Sequence, residues 1–379
     1  MTADAAAEHA RAAGVDLATL ESWLAGQLGG GRMGSHEFLT GGTQNVLLGF
    51  DWEDASGTRR LIYRGPPVNK RKNSDTIMLR EARVLEALTG SEVPHPGFVA
   101  ACDDMDVLGN AFFVMEAVDG YNGVSDVPEH VRADLAWQHE AGLEHARSVA
   151  ALGNVDHLAV GLEGFGKPDR WLERQPGRWV GQLKSYEEIE EWAGLDHEGA
   201  EAIPRWLEEH MPRVAPRSQV GIIHGDCHAG NILFRRDRPG VAALVDWELS
   251  TLGDPLLDLG HLLASTYTKA ARDDVAADGT DGDGGQGASG ADADAGTVTS
   301  AGLPGVPTKD EIVAAYGEVS SRDVDEVDFY HVLACFRFGS ILEGSQARAA
   351  AGLAPEEVGR RLHERTVSLF DQAMGVIDG

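Results

Sequence analysis

An acid and an amide, Asp226 and Asn231, stand five residues apart in the stretch His-Gly-Asp-Cys-His-Ala-Gly-Asn, residues 224–231. Apolar runs flank this stretch on both sides, at 220–223 and 232–234. A second acid, Asp246, closes the apolar run 241–245. An Asp and an Asn at this spacing, followed by an Asp after a hairpin, can point at one centre. A hard cation such as Mg²⁺ takes oxygen ligands, few from protein and the rest from phosphate and water. Asn231 and Asp246 can supply such ligands, which leaves Asp226 to accept a proton from a hydroxyl. Phosphoryl transfer divides its labour in this way.

The same residues carry a resemblance. HGDCHAGN and the later string DWELSTLGDPLLDLG, residues 246–260, resemble the catalytic and metal-binding segments of the aminoglycoside/choline-kinase-like phosphotransferases, which share the protein-kinase-like fold. Protein kinases carry Arg where Gly225 stands, and Asp-Phe-Gly at the metal-binding acid. The second string is similar to one subgroup, related to the kinase-like domains fused to acyl-CoA dehydrogenases. The resemblance runs the length of the chain except for an Asp/Gly-rich insertion at 272–300. It implies an α+β, bilobal fold: a small β-rich N-lobe at 36–118 after an N-terminal helical segment at 1–35, then a larger, mainly helical C-lobe at 119–379. It also implies ATP and Mg²⁺ as cofactors, with transfer of the γ-phosphate to a hydroxyl of a small molecule. Asp226 would then be the base, and Asn231 and Asp246 the metal ligands.

The resemblance assigns further residues. Gly41, Gly42, Thr43, Gln44 and Asn45 match the Gly-turn over the phosphates, where backbone amides bind phosphate oxygens. Arg64, on the third strand, stands where most kinases have Lys; Arg keeps the charge and binds phosphate bidentately. Glu81 is its expected partner and Glu86 the fallback. The run 113–120 matches the hinge that holds adenine, with Met115 lining the pocket and the backbone of Glu116 and Val118 bonding the base. His224 is expected to brace the loop through its ring, Asp258 to brace it through a carboxylate, and Asp254 with Pro255 to start a helix. His228 stays undecided between substrate and solvent, and Cys227 reads as a small filler. An Ala-Pro-Glu at 354–356 lies too far beyond Asp246 to be the substrate-loop motif of protein kinases.

The elements that must position these residues follow from periodicity. Residues 5–28 read as a helix with Leu17, Leu20, Trp23 and Leu24 on one face, ended by three glycines. A strand, Gly-turn and strand follow at 37–54, and a third strand stops at Pro66 and Pro67. Residues 74–88 read as a helix capped by Ser74, and 110–118 as a buried strand. From about 122 the chain reads as helical, except for short β-like runs at 219–247 with a turn at 235–240. Residues 276–296 hold nothing larger than Gln and cannot repay their ordering entropy.

Composition bounds the rest. With 61 acidic against 32 basic residues the net charge is −29, which argues against nucleic acid as a partner. Acidic surplus with few lysines is what a salty cytosol favours, so an acidic cleft need not mean a cationic substrate. No apolar run is long enough for a membrane span, the N-terminus lacks a signal-peptide layout, and three scattered cysteines suggest neither disulfides nor zinc. A cytoplasmic monomer or homodimer is the expectation. For the acceptor, NKRK at 69–72 either meets an anion or is a solvated loop. Hydroxyacyl-CoA is one hypothesis, aminoglycosides and amino-alcohols such as choline another. An ATP-binding pseudokinase with a regulatory role is the alternative outside catalysis.

Overall fold

The computed structural model describes residues 14–39, 45–266 and 305–379. The expectations placed on Gly41, Gly42, Thr43 and Gln44, on the insertion at 272–300 and on the start of the first helix lie outside the described residues.

Helix α1 (Leu17–Leu28) opens with the Asp16 carboxylate accepting from the Thr19 N–H at 2.9 Å and ends at Gly29, whose φ is 75°. Leu20 and Leu24 are buried, and Trp23 meets Phe112 edge-on at 4.7 Å. The helix therefore belongs to the N-lobe core rather than preceding it as a separate segment. Strands β1 (Arg32–Phe38), β2 (Val46–Asp54), β3 (Gly57–Gly65), β4 (Phe98–Cys102) and β5 (Phe112–Glu116) form one antiparallel sheet in the order β1-β2-β3-β5-β4. Leu48, Phe50 and Trp52 alternate inward along β2 onto Leu61, Tyr63 and Phe112. The first strand begins at Arg32, ahead of the expected boundary at 36, because pairing with β2 extends through Arg32↔Glu53.

Helix α2 (Ser74–Leu88) corrects one detail. Asn73, not Ser74, occupies the N-cap, and no side chain caps the helix. Its apolar face, with Met78, Ala82, Leu85 and Leu88, joins the cluster that runs through the C-lobe and takes in Phe113 of β5. Arg80 donates to the carbonyl oxygens of Phe165 and Ser250, and Arg83 to those of Gly161 and Glu163. The N-lobe helix is thus bolted to the C-lobe.

The C-lobe is built from α3 (Leu135–Gly153), α4 (Gln175–Tyr186), α5 (Gly199–Val214), α6 (Leu256–Thr266), α7 (Lys309–Val319), α8 (Val327–Ala350) and α9 (Glu356–Ile377). Two small antiparallel sheets frame the loop that carries Asp226: β6 (Tyr121–Asn122) with β8 (Ile232–Phe234) and β9 (Val241–Leu244), and β7 (Gly221–Ile223) with β10 (Thr251–Gly253). Strand β10 falls beyond the β-like stretch expected at 219–247. Its three residues are too short to show alternation. At Gly260 a Cβ would lie 2.2 Å from the Tyr330 carbonyl oxygen, so α6 and α8 touch backbone to backbone.

Candidate active site

The loop after β7 turns sharply at Gly225, whose φ is 84°. A Cβ there would lie 2.6 Å from the Leu249 carbonyl oxygen, so the fold admits glycine at this point. Asp258, in the first turn of α6, grips the same turn. Its carboxylate accepts from the His224 N–H at 2.6 Å and the Gly225 N–H at 2.9 Å. Burial lifts the Asp258 pKa to about 6 against the pull of those two donors. Arg337 of α8 donates to the Gly225 carbonyl oxygen at 2.8 Å. The peptide of Gly225 is held on both sides.

His224 braces the loop as its position suggested. Its Nδ1 accepts from the Asp226 N–H at 3.3 Å, so Nε2 carries the proton and donates to the Val245 carbonyl oxygen at 3.0 Å. Burial lowers its pKa to about 4, so the ring is neutral at pH 7. Cys227 is fully buried, its thiol donating to the Asp258 carbonyl oxygen and its pKa pushed up by burial. It is a filler, not a reactive thiol.

Asp226 keeps a partly exposed carboxylate. Asn231 donates through Nδ2 to its backbone oxygen at 2.9 Å and to Oδ2 at 3.1 Å. His228 Nε2 stands 3.8 Å from Oδ2, and His261 Nε2 stands 3.8 Å from Oδ1. His228 thus faces Asp226, with its Nδ1 accepting from the Gly230 N–H at 3.0 Å. His261, on α6, was missed in the sequence, where it reads only as one more residue of a buried helix.

Asp246 follows β9 with φ 65° and ψ 68°, a left-handed conformation that a non-glycine residue adopts at a cost of about 1–3 kcal/mol. The Val245 N–H donates to the Asn231 carbonyl oxygen at 2.9 Å, which ties the two segments together. Arg64 crosses from β3 to this point. Its guanidinium contacts Glu81 at 3.2 Å and Asp246 at 2.6 Å. Glu81 is the partner expected, and Glu86 is exposed. The carboxylates hold Arg64 charged, while burial and the neighbouring Asp246 and Glu248 push the Glu81 carboxyl upward against Arg64.

Glu248 was also missed, although it stands in the quoted Asp-Trp-Glu. The tight turn Trp247–Leu249 returns it beside Asp246, and burial raises its pKa. Glu81, Asp246 and Glu248 offer ligand oxygens within 4.8 Å of one another. Asn231 commits its side-chain Nδ2 to Asp226, and no donor among the described residues meets its side-chain Oδ1. The donor set is all oxygen, three carboxylates and one amide, the kind that suits a hard divalent cation.

Met115 is half-buried against the C-lobe core. The Glu116 N–H is already donated to the Gly97 carbonyl oxygen at 2.8 Å, so it is not available to a base. No hydrogen bond from another described residue reaches the peptide group of Val118. Asn45 sits at the entry to β2, half-buried.

Comparison with known proteins places this geometry in a family. The sequence profile of the phosphotransferase enzyme family (APH) matches residues 51–293. Acyl-CoA dehydrogenase family member 10 of Mus musculus is 26% identical over 362 residues, which cover 93% of this chain and 30% of that protein. The chain spans about a third of the length of the curated relatives it matches. A structure from Ralstonia eutropha JMP134, classed as an aminoglycoside phosphotransferase, superposes with a TM-score of 0.69 at 25% identity, covering 95% of this chain and 98% of that one. Choline kinase from Cryptosporidium parvum Iowa II shares the fold, with a TM-score of 0.58 at 12% identity over 91% of this chain and 90% of its own. The chain belongs to the phosphotransferase enzyme family, in its kinase-like, two-lobed form.

Proposed function

We propose that the protein moves the γ-phosphate of ATP to a hydroxyl of a small molecule, with Asp226 taking the hydroxyl proton. The observation that supports this most directly is the meeting of the two lobes. Arg64 of the N-lobe sheet reaches Asp246 at 2.6 Å, beside the Asn231 amide that clamps Asp226. In this reading Asn231 holds Oδ2 of Asp226 and leaves Oδ1 toward the acceptor. As the acceptor oxygen bonds to the γ-phosphorus, its proton passes to Asp226, the bond from phosphorus to the bridging oxygen breaks, and ADP leaves. Asp246 and Asn231 would hold Mg²⁺, with Glu248 in reach, and the ion supplies charge neutralisation at the phosphate oxygens. Glu81 fixes the guanidinium of Arg64 for the nucleotide phosphates. The turn Gly41, Gly42, Thr43, Gln44 and Asn45 would cover those phosphates, and Met115 with the Val118 peptide would hold adenine.

For the acceptor we place hydroxyacyl-CoA first, because the relatives that align along this chain are named as acyl-CoA dehydrogenases. The basic run at 69–72 lends less than its composition suggested. Lys70 is paired with Asp75 at 2.7 Å. Transfer of labelled γ-phosphate across acyl-CoA, amino-alcohol and sugar acceptors tests the proposal. Asp226→Ala should lower kcat by at least ~10²-fold while ATP affinity is kept. Near-full turnover by this variant would refute the assignment.

A further inference from the structure

Exposed carboxylates say little about ligands in a chain where acidic residues outnumber basic ones 61 to 32. A buried cation is a different matter, because removing a charge from water is costly unless something answers it. Arg337 is only 8% exposed. Its guanidinium lies 4.7 Å from the centre of the Phe338 ring and 5.6 Å from that of Trp179. Nη1 donates to the Gly225 carbonyl oxygen. Among the described residues no carboxylate oxygen comes within ion-pair distance of this guanidinium, and no acceptor meets Nε or Nη2. Asp226 and Asp258 act on it only from a distance, and Asp258 is already engaged by two backbone N–H groups.

The two unmatched nitrogens form one edge. Nε–H and the adjacent Nη2–H are the parallel pair with which arginine grips a carboxylate or phosphate side-on. Neither nitrogen is sealed from solvent. Their position relative to the proposed base is also defined. Asp226 Oδ1 lies 3.8 Å from His261 Nε2, the His261 ring packs on Phe338 at 3.7 Å, and Phe338 carries the Arg337 guanidinium. A chain of contacts therefore runs from the proposed base to the Arg337 guanidinium. Arg178, which is exposed, adds a second guanidinium 4.8 Å from the Trp179 ring. Bracing Gly225 alone accounts for one N–H of the five that arginine bears.

We infer that the open edge of Arg337 binds an anionic group of the acceptor, a carboxylate or a phosphate, while the acceptor hydroxyl sits at Asp226. The acceptor is then a hydroxylated anion and not an amine. This rests on the phosphotransferase reading above and narrows its substrate class.

The test measures both binding and turnover, so that the two readings can fail separately. The probes are 3-hydroxybutyrate, its coenzyme A thioester, glycerol and choline, each with Mg²⁺ and ATP for turnover and with a non-hydrolysable ATP analogue for calorimetric binding. The free acid and the thioester distinguish a carboxylate from a phosphate as the group recognised. Wild type should favour one or both anions over choline. Arg337→Met should weaken the preferred anion by about 10–100-fold, the worth of a charged hydrogen bond, beyond whatever loss glycerol shows from the missing Gly225 contact, and this excess should fall on KM more than on kcat. Arg337→Lys keeps a charge and a donor for Gly225 but not the fork, and should fall between; it also covers the case in which the methionine variant fails to fold. Anion binding that depends on Arg337 without any turnover would uphold this inference and sink the kinase reading. Preference for choline, or an equal loss on every acceptor in the lysine variant, would overturn the inference and leave the kinase reading standing.

Discussion

Asp258→Asn sets two opposing effects against each other at the root of the Asp226 loop. The carboxylate accepts two backbone N–H bonds, from His224 and Gly225, each charge-assisted and worth about 1.5–3 kcal/mol. Against them stand complete burial and the nearby charge of Asp226. Burial wins, since the pKa rises from 3.8 to about 6. For a carboxyl raised on folding, the unfolded state releases its proton first. Stability is therefore fully present below pH 3.8 and is lost as pH rises through 6. At 1.36 kcal/mol per pKa unit the loss is ~3 kcal/mol, most of it between pH 4 and pH 6. The amide is nearly isosteric and does not titrate. In urea unfolding of both proteins from pH 4 to pH 8, the other titrating groups largely cancel in the difference. The variant should gain on wild type by about 3 kcal/mol across that window. Its amide NH₂ faces one of the two N–H donors, so the turn is held by a single bond. Labelled-phosphate transfer should fall even though stability at pH 7 does not. Should wild type instead gain on the variant as pH rises, the two N–H donors outweigh burial, and the account of this loop fails.

Arg64→Met leaves Glu81 and Asp246 without the guanidinium that touches both. Urea unfolding should show a loss of about 3–5 kcal/mol, most of it restored in the double variant with Glu81→Met; full additivity of the two changes would mean the pair is not coupled. Glu343 of α8 is completely buried and accepts from the Trp192 ring N–H at 2.9 Å, so Glu343→Ala should release the segment 187–198. A stability loss of about 1–3 kcal/mol should come with faster proteolytic cleavage inside that segment, and an unchanged cleavage rate would show that Glu343 does not anchor it.

Legibility tracked the range of the contacts involved. Asp226 and Asn231 share one loop, and their mutual clamp follows from five residues of chain. Arg64 and Glu81 come from neighbouring elements of one lobe, and the family pattern was enough to pair them. His224 and Asp258 were legible as braces because both lie in strings whose order is characteristic. The strand Thr251–Gly253 was not, since three residues show no period, and neither was the Asn73 cap, since Asn and Ser cap equally well and only the backbone position separates Asn73 from Ser74. Glu248 stood in a quoted motif and was still overlooked. Only the turn at Trp247–Leu249 brings it back beside Asp246.

The acceptor side was the least legible, for a physical reason. Arg337 lies more than a hundred residues beyond Gly225, and a helix buried on nearly every side, as α8 is, has no polar face that would mark an inward arginine as unusual. Its significance comes from two contacts, with the Gly225 carbonyl and the Phe338 ring, and from the absence of an acid within ion-pair reach among the described residues. Within this fold the chemistry of phosphate movement is written into short loops, where spacing suffices to read it. In the reading proposed above, the choice of what receives the phosphate depends on residues of α4, α6 and α8, Trp179, His261 and Arg337, that only the fold brings together. Family membership therefore speaks to the reaction far more strongly than to the acceptor, and the charge of the acceptor has to be argued from the buried cation.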